Sequence, residues 1–212
     1  FFFIKSDDPN LTLEKILLLA TKKIPQKFNL NPTTEIQVLA PAHKGSLGVI
    51  ALNTALQKAL NPNPVTSITR LGNILATGDK VIQTINNYDK DIYNGDIGFI
   101  IAINLTDKKL QIDFNNKIVN YNFDELDEIS LAWAITIHKS QGSEYPAVII
   151  PISTQHFTLL QRNLLYTGIT RGKQLVVLLG QTKALAMAIN NQSATNRATF
   201  LAELLRKNSL NS

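Results

Sequence analysis

Apolar and polar residues alternate along the first part of the chain in the rhythm of a strand–helix–strand–helix unit. The apolar run Phe1–Ile4 predicts a strand. The helix predicted next has Asp8 as its N-cap and is expected to end at Pro25, because proline cannot donate a helical hydrogen bond. Glu35–Ala40 predicts a second strand, and Ser46–Leu60 predicts a second helix. This alternation favours a parallel sheet covered by helices, since parallel neighbours need crossover connections.

The pattern changes between Gly78 and Asp124, where the apolar runs are short and turn residues separate them. Strands are predicted there at Lys80–Thr84, Ile97–Asn104, Leu110–Phe114 and Lys117–Asn122. Strands this close together, without helices between them, pair antiparallel, and a segment of this size fits a small barrel. We therefore predict an inserted antiparallel barrel at residues 71–127.

The strand and helix rhythm returns after the predicted barrel. It predicts strands at Leu131–Thr136, Ala147–Ile152 and Leu175–Leu179, a helix at Leu159–Arg171, and two further helices near the C-terminus. The predicted fold class is α/β, with residues 1–70 and 128–212 forming one parallel-sheet domain around the insertion.

Composition narrows the possible chemistry. The sequence holds 21 Lys and Arg against 16 Asp and Glu, and this net charge of +5 suits an anionic partner without identifying one. It has no cysteine, and its histidines, His43, His138 and His156, are too widely spaced for a two-histidine metal site, so we expect no metal site. No apolar run approaches the ~20 residues that span a bilayer. We expect a soluble protein of the cytoplasm.

Two polar segments in the second half carry candidate chemistry. Thr136–Glu144 reads TIHKSQGSE and follows a predicted strand, which is where parallel α/β folds usually bind ligands, and Leu165–Arg171 ends in an arginine. These segments resemble motifs V and VI of superfamily 1 helicases. The strings HKSQGSEYP and LLYTGITRGK are most similar to the RecD-like DNA helicases of subfamily 1B. The resemblance implies a RecA-like second motor domain that is interrupted by a Src-homology-3-like barrel.

A nucleotide-hydrolysing enzyme of this kind also needs a glycine-rich loop ending in Lys and Ser or Thr, which holds the phosphates and the magnesium ion. This sequence has none, because its Gly172-Lys173 pair is followed by Gln174. The resemblance implies that ATP with Mg²⁺ binds between this chain and an N-terminal motor lobe that supplies the loop and the magnesium ligands. A sequence that begins with Phe fits an absent upstream half. Single-stranded DNA is the other implied partner.

Arg171 is the candidate arginine finger, which stabilises the charge that develops on the transferred phosphoryl group. Taken alone, it would be interpreted as a cation at a helix C-terminus, where the macrodipole favours it. We expect it near the sheet edge at which Thr136 and Gln141 emerge. Gly168 and Gly172 stand where the related motif has alanine. Gly168 is expected to loosen the helix slightly, and Gly172 fits a helix terminator.

The resemblance assigns Thr136 and His138 to the DNA backbone, and Gln141, Gly142 and Glu144 to the nucleotide or to coupling between the two ligands. Hydroxyl, imidazole and backbone N–H groups can donate to phosphate oxygens, whereas a carboxylate suits ribose hydroxyls better. Taken singly, Glu144 could cap a helix and His138 could be a partly buried structural histidine.

A third segment, Gln37–Pro41, resembles motif IV and is followed by His43 and Lys44. Lys44 is a candidate for a second basic contact to the nucleotide, made by its ammonium as a point charge. The alternative is that Lys44 is simply solvated. Gly45–Gly48 also fits the Gly-x-x-Gly loop of an RNA-binding module, but this pattern is short and common.

The predicted barrel contains strings that resemble RecD-like helicases specifically: Gly78–Gln83, Asn86–Asp89 and Tyr93–Gly98. Tyr88 or Tyr93 could stack on a DNA base while Lys80, Asn87 and Lys90 contact the backbone, which would give sequence-tolerant binding. The alternative is that the tyrosines pack the barrel and the Asn residues form turns.

The function implied by the resemblance is the C-terminal half of an ATP-dependent DNA helicase that moves 5′ to 3′ on single-stranded DNA. Two related alternatives are the RecD subunit of a multi-subunit exonuclease and a conjugative relaxase-helicase. An alternative of another class is a non-catalytic nucleic-acid-binding or adaptor module. A P-loop in an N-terminal lobe would distinguish the motor from the adaptor.

Overall fold

The computed structural model describes residues 1–70 and 72–191. One of its sheets has five parallel strands, which confirms the predicted α/β fold. From one side to the other these are β1 (Phe2–Lys5), β12 (Gly172–Gly180), β11 (Tyr145–Ile152), β2 (Ile36–Ala40) and β10 (Ala134–Thr136). Because all the strands point the same way, their carboxyl ends form one edge of the sheet and their amino ends form the opposite edge.

Helices cover both faces of the parallel sheet. They are α1 (Pro9–Leu18), α2 (Ile24–Phe28) and α3 (Val49–Leu60) on one face, and α4 (Arg162–Ile169) and α5 (Thr182–Asn190) on the other. Val38 and Ile149 pack in the first core, and Leu39 and Val148 pack in the second. Burial on both faces explains why the strands are almost continuously apolar. Within the described residues, no helix has the length and apolar character needed to cross a bilayer.

A second sheet is antiparallel and forms a separate small domain. In pairing order it contains β8 (Lys117–Asn122), β7 (Lys109–Phe114), β6 (Ile97–Asn104), β5 (Lys80–Gln83) and β9 (Ile129–Leu131). A hairpin of β3 (Ser67–Arg70) and β4 (Asn73–Ala76) precedes it, and Leu75 of this hairpin packs in the same core. We call Ser67–Leu131 the barrel. The four strands predicted here are confirmed within one residue at each end.

The predicted limits of the insertion, residues 71 and 127, stay a prediction. Residue 71 lies outside the described residues. Antiparallel pairing continues past residue 127, because Ser130 in β9 pairs with Ile82 in β5. Of the two helices predicted near the C-terminus, α5 is present, and the second lies outside the described residues.

The strand predicted at Leu131–Thr136 is wrong as a single element, because the chain passes there from the barrel to the parallel sheet. Two buried amide side chains satisfy the backbone at the break. Gln37 Nε2 donates to the Ala132 carbonyl at 3.0 Å, and Asn53 Oδ1 accepts the Ala134 N–H at 2.8 Å. The apolar pattern could not reveal the break, because residues 132–136 around it are all buried.

The first predicted helix is also wrong in its end, because it does not stop at Pro25. α1 continues through a π-helical turn, Leu19–Lys23, into α2, which carries Pro25 in its first turn and ends at Phe28. In the π turn the N–H of Ile24 reaches the carbonyl of Leu19. The wider turn comes directly before the residue that lacks an N–H, so the helix accommodates the proline.

The helix predicted at Leu159–Arg171 is shorter in the structure, and Gly172 begins β12 instead of terminating the helix. Gly168 is buried against the sheet, where an added Cβ would lie 3.0 Å from Ile150 Cδ1 and 3.3 Å from Ile137 Cδ1. This glycine therefore allows α4 to approach the sheet closely. The expectation from helix propensity alone, a slightly looser helix, did not include this packing role.

Candidate functional site

The segment Thr136–Glu144 crosses the parallel sheet from one edge to the other. At its start, Thr136 pairs with Ala40, and these are the last residues of β10 and β2. Directly after it, Tyr145 pairs with Gly172, and these are the first residues of β11 and β12. The segment therefore begins at the carboxyl edge and ends at the amino edge.

Arg171 lies at the amino edge, because it directly precedes Gly172. The expectation that it would lie near the point where Thr136 emerges is therefore wrong. The physical reason is that α4 runs back across the sheet before β12 begins, as a crossover between parallel strands must. Arg171 instead contacts the far end of the same polar segment, at Ser143.

At the carboxyl edge, a cleft of about 130 Å³ lies between the parallel sheet, the start of α3 and the barrel. Its polar lining includes His43, Asn53, Thr54, Ser130, Thr136 and Lys139. The Thr136 hydroxyl accepts the Lys139 N–H at 3.2 Å, and partial burial lowers the pKa of the Lys139 ammonium. Hydroxyl, imidazole and ammonium groups in one cleft can contact the phosphates of a polymer that crosses it.

The loop after β2, residues 41–48, lies at this same carboxyl edge. Its His43 lines the cleft with Thr136, and its Ser46 hydroxyl lies 3.1 Å from Gln155 Oε1, just beyond the end of β11. Lys44 is exposed, and within the described residues no hydrogen bond or ion pair joins it to Gln141 or Arg171. The structure therefore does not bring Lys44 to the predicted nucleotide residues.

Beside α4, the polar segment forms a shallow surface strip that leads from the carboxyl edge toward Arg171. His138 and Gln141 line it from the segment, and Asn163 and Thr167 line it from α4. His138 is exposed, so the alternative of a partly buried structural histidine is wrong. It faces α4 with Gln141, and it does not line the cleft that contains Thr136.

The guanidinium of Arg171 is partly buried and is held by three acceptors. Nε donates to the Thr167 carbonyl at 3.1 Å, Nη1 to the Ser143 carbonyl at 3.1 Å, and Nη2 to Thr170 Oγ1 at 3.0 Å. Thr170 Oγ1 donates in turn to the Thr167 carbonyl at 3.0 Å. Within the described residues no carboxylate pairs with Arg171. Its charge is therefore not neutralised, and guanidinium N–H groups remain for a phosphate.

The end of the segment next to Arg171 has a fixed backbone. Gly142 has φ of 85°, a left-handed conformation that glycine adopts readily. Tyr145 donates its N–H to the Arg171 carbonyl at 2.8 Å. Glu144 is exposed and pairs with Lys173 at 3.1 Å, so it does not cap a helix here, and such an exposed pair is easily exchanged for another partner.

On the barrel, the loop between β5 and β6 exposes an aromatic pair. Tyr88 is 75% exposed, and its ring packs edge-on against Tyr93 with 6.1 Å between centroids. Asn87 is different, because its amide is used within the barrel: Nδ2 donates to Glu128 Oε2 at 3.0 Å, and Oδ1 accepts the Lys90 N–H at 3.1 Å. Tyr88 is thus free to stack on a base, and the predicted DNA contact of Asn87 competes with its bonds in the barrel.

The two lysines expected to accompany Tyr88 have other partners. Lys90 Nζ lies 2.6 Å from Glu125 Oε1 and 4.2 Å from the centre of the Tyr121 ring. Lys80 is 2% exposed, and its Nζ donates to Gln37 Oε1 at 2.8 Å. The expectation that Lys80 contacts a DNA backbone is therefore wrong, since strand β5 turns this side chain into the junction between the barrel and the parallel sheet.

Sequence reasoning missed Lys139, Asn163 and Thr170. Lys139 is three residues after Thr136 and returns to the same cleft through a 3-10 turn at His138–Ser140. A turn predicted at that position would have suggested this pairing. Among residues 1–70 and 72–191, no group of three or more His, Asp or Glu side chains is arranged to hold a metal ion.

Two family models match the chain. One is the SH3 domain of ATP-dependent RecD-like DNA helicases, at residues 52–114, and the other is the UvrD-like helicase C-terminal domain, at residues 131–179. Together they cover most of the barrel and the segments that contain Thr136, Gln141 and Arg171.

Curated relatives agree with these matches. The ATP-dependent RecD2 DNA helicase of Deinococcus radiodurans is 34% identical over 171 residues, which are 81% of this chain and 23% of that protein. The RecBCD enzyme subunit RecD of Buchnera aphidicola subsp. Acyrthosiphon pisum is 34% identical over 194 residues, 88% of this chain and 30% of that protein. The chain thus spans less than a third of the length of these relatives.

Solved structures support the fold. Pif1 helicases in a study of DNA unwinding at forked double-stranded DNA match with a TM-score of 0.54 and 15% identity, over 98% of this chain and 53% of theirs. Pif1 from Bacteroides in complex with ADP-AlF3 and single-stranded DNA matches with a TM-score of 0.52 and 16% identity, over 98% and 55%. By these matches the chain belongs to the RecD-like helicases of superfamily 1, and it corresponds to their C-terminal motor domain with the Src-homology-3-like insertion.

Proposed function

We propose that this chain is the second motor lobe of an ATP-dependent DNA helicase. It would work with a lobe that supplies the P-loop and the magnesium ligands. The observation that carries the proposal is the position of Arg171, which is not neutralised by an acid in the described residues and is bound to Ser143. Ser143 belongs to the segment whose other end, Thr136, lines a basic cleft.

The amino edge is proposed to bind ATP together with the other lobe. Arg171 would stabilise the charge that develops on the transferred phosphoryl group, a role worth about 10³ to 10⁵ in rate. Gln141 and the backbone of Gly142 would contact the nucleotide. The Glu144 carboxylate would leave Lys173 and accept hydrogen bonds from the ribose hydroxyls instead. ATP supplies the phosphoryl group, and Mg²⁺ bound by the other lobe would neutralise its charge.

The carboxyl edge is proposed to bind single-stranded DNA. Thr136, His43 and Lys139 would donate to backbone phosphates in the cleft, and Lys44, predicted from sequence to contact the nucleotide, fits this side better. Tyr88 would stack on a base and extend the contact along the barrel. His138, which lies two residues after Thr136 and lines the strip, would also contact the DNA backbone. The 5′ to 3′ direction and a cytoplasmic location are proposed from the family resemblance.

The proposal is tested by adding the missing lobe. The chain alone should show no ATP turnover above background and should bind single-stranded DNA with an affinity that falls with salt. The same chain joined to its P-loop lobe should hydrolyse ATP when DNA is added. Turnover by the chain alone, or DNA affinity independent of salt, would contradict the assignment.

A second candidate is the RecD subunit of a multi-subunit exonuclease. It is favoured by the Buchnera relative, which aligns over a larger share of this chain than the RecD2 helicase does, 88% against 81%. Purification of the intact protein from its own cell decides between them. A stoichiometric complex with two further subunits would favour the exonuclease, and an active single chain would favour the independent helicase.

A further inference from the structure

Lys80 is a buried cation without an acidic partner in the described residues. It is 2% exposed, and its hydrogen-bond acceptor is the uncharged Oε1 of Gln37, at 2.8 Å. Its ammonium also lies 6.0 Å from the centre of the Tyr145 ring. Burial lowers the pKa of Lys80 to about 8. A charged group in such a place is unfavourable for folding, and an apolar side chain of similar size would avoid that cost. Stability alone therefore does not account for the lysine.

The contacts of Lys80 join three parts of the molecule. The residue itself belongs to β5 of the barrel. Gln37, its acceptor, belongs to β2 and donates to the carbonyls of Ala132 and Trp133, where the chain passes from the barrel to the parallel sheet. Lys80 thus meets the parallel sheet beside one of the two connections between the barrel and that sheet, where its position can affect the angle of the barrel.

The contact with Tyr145 extends this junction to the amino edge. Tyr145 directly follows the polar segment, and its N–H donates to the Arg171 carbonyl at 2.8 Å. Ser143, two residues earlier, accepts from Arg171 Nη1. The ring that faces the Lys80 ammonium therefore belongs to the residue that ties the backbone of Arg171 to β11.

We propose that Lys80 is a positioning residue that couples the orientation of the barrel to the Arg171 end of the parallel sheet, through Gln37 and Tyr145. The coupling to ATP rests on the function proposed above, whereas the orientation of the barrel does not. A strand of DNA that pulls on the barrel would act on Lys80, and a displaced Lys80 ammonium would no longer hold Tyr145 beside Arg171.

Orientation is tested on the chain itself by electron–electron distance measurement between two spin labels. The sequence has no cysteine, so labels can be attached at Glu14→Cys on α1 and Ile118→Cys on β8, both exposed. Lys80→Met should shift or broaden the distance distribution without lowering the melting temperature. Lys109→Met, which alters an exposed barrel lysine in the same way, should change neither. A Lys80→Met distribution identical to that of the parent overturns the proposal.

Coupling is tested in the intact helicase by ATP turnover with and without single-stranded DNA. Lys80→Met should reduce the stimulation by DNA at least about fivefold, the lower range of coupling between sites, with basal turnover retained. Tyr145→Leu should do the same, and the double variant should be no worse than either single variant, since both act on one contact. If Lys80→Met does not fold, Tyr145→Leu alone decides.

Arg171→Ala is measured beside these variants to separate the two proposals. Full DNA stimulation in Lys80→Met, with Arg171→Ala impaired, overturns the coupling and leaves the proposed function intact. Unchanged turnover in Arg171→Ala overturns the proposed function, and the spin-label distances then decide the role of Lys80 in orientation.

Discussion

The two edges of the parallel sheet present their basic groups in different ways. At the carboxyl edge, His43 and Lys139 line an open cleft and Lys44 beside them is exposed. At the amino edge, the guanidinium of Arg171 is held by three acceptors of its own lobe. Basic groups that line an open cleft suit a polymer backbone that moves past them, whereas a fixed guanidinium suits one transition-state geometry. A single sheet can thus bind the two proposed ligands, single-stranded DNA at one edge and ATP at the other.

The segment Thr136–Glu144 physically connects the two edges, because it contributes residues to both. Thr136 lines the carboxyl-edge cleft and Ser143 binds Arg171. A movement of this segment on DNA binding would therefore alter the support of the arginine. This gives a physical basis for a dependence of ATP turnover on DNA, and variants at each edge should separate the two functions.

The largest effect is expected from Arg171→Ala in the intact helicase. DNA-stimulated turnover should fall by about 10³ to 10⁵, while ATP binding changes little, because the arginine acts mainly in the transition state. Steady-state kinetics and nucleotide titration measure the two quantities, and Lys183→Ala, on the exposed side of α5, is the control. Turnover within tenfold of the parent would remove Arg171 from the site.

The next largest effect is expected on the free energy of unfolding, which should depend on pH because of the buried Lys80. In the unfolded chain Lys80 has its ordinary pKa of 10.5, and in the fold burial lowers it to about 8. Between these values the unfolded state binds more protons, so the free energy of unfolding should rise with pH. Relative to Lys80→Met, the parent should gain roughly 3 kcal/mol between pH 7 and pH 10.5. Urea unfolding of both proteins measures this, and a constant difference would mean that Lys80 is solvated.

A smaller effect is expected from Thr170→Val, which keeps the shape of the side chain and removes its hydrogen bonds to Arg171 and Thr167. A lost hydrogen bond to a charged group is worth ~1.5 kcal/mol, so turnover should fall about tenfold. Thr170→Ser should restore it, and DNA affinity should not change. If Thr170→Val has the same effect on turnover in the Arg171→Ala background, the two residues act independently and the support of the guanidinium by Thr170 is disproved.

The smallest effect is expected at the carboxyl edge, from Lys139→Ala. Affinity of the chain for labelled single-stranded DNA should fall a few-fold, and the slope of log affinity against log salt should become shallower by about 0.7, because one phosphate contact is lost. Fluorescence anisotropy at several salt concentrations measures this. Lys22→Ala, which removes an exposed lysine that does not line the cleft, is the control. An unchanged slope would exclude Lys139 from the DNA path.

Several of these features could be predicted from the sequence, and others could not. The barrel strands β5, β6, β7 and β8 and most of the parallel strands were predicted to within a few residues, because alternation and apolar runs depend on near neighbours. The hairpin β3–β4 and strand β9 were not predicted. The opposite positions of Thr136 and Arg171 follow from the parallel direction of the strands, because Thr136 ends β10 and Arg171 directly precedes β12. The pattern does not record which distant residues come into contact, such as Ser143 and Arg171. The continuous helix through Pro25 was missed because a π turn accommodates the proline. The break between β9 and β10 was missed because the residues around it are all buried.

By itself the sequence determined the alternation of strands and helices in the parallel-sheet domain, the presence of an inserted antiparallel unit, and the residues of the two helicase-like segments. Each of these is encoded in neighbouring positions. The tertiary structure alone decided that Arg171 binds Ser143, that Lys80 is buried against Gln37, and that Tyr88 remains exposed. The physical reason is that solvent exposure and hydrogen-bond partners depend on residues brought together from distant parts of the chain. A lysine in a sequence is equally able to bind DNA or to join two domains, and only packing selects between these roles.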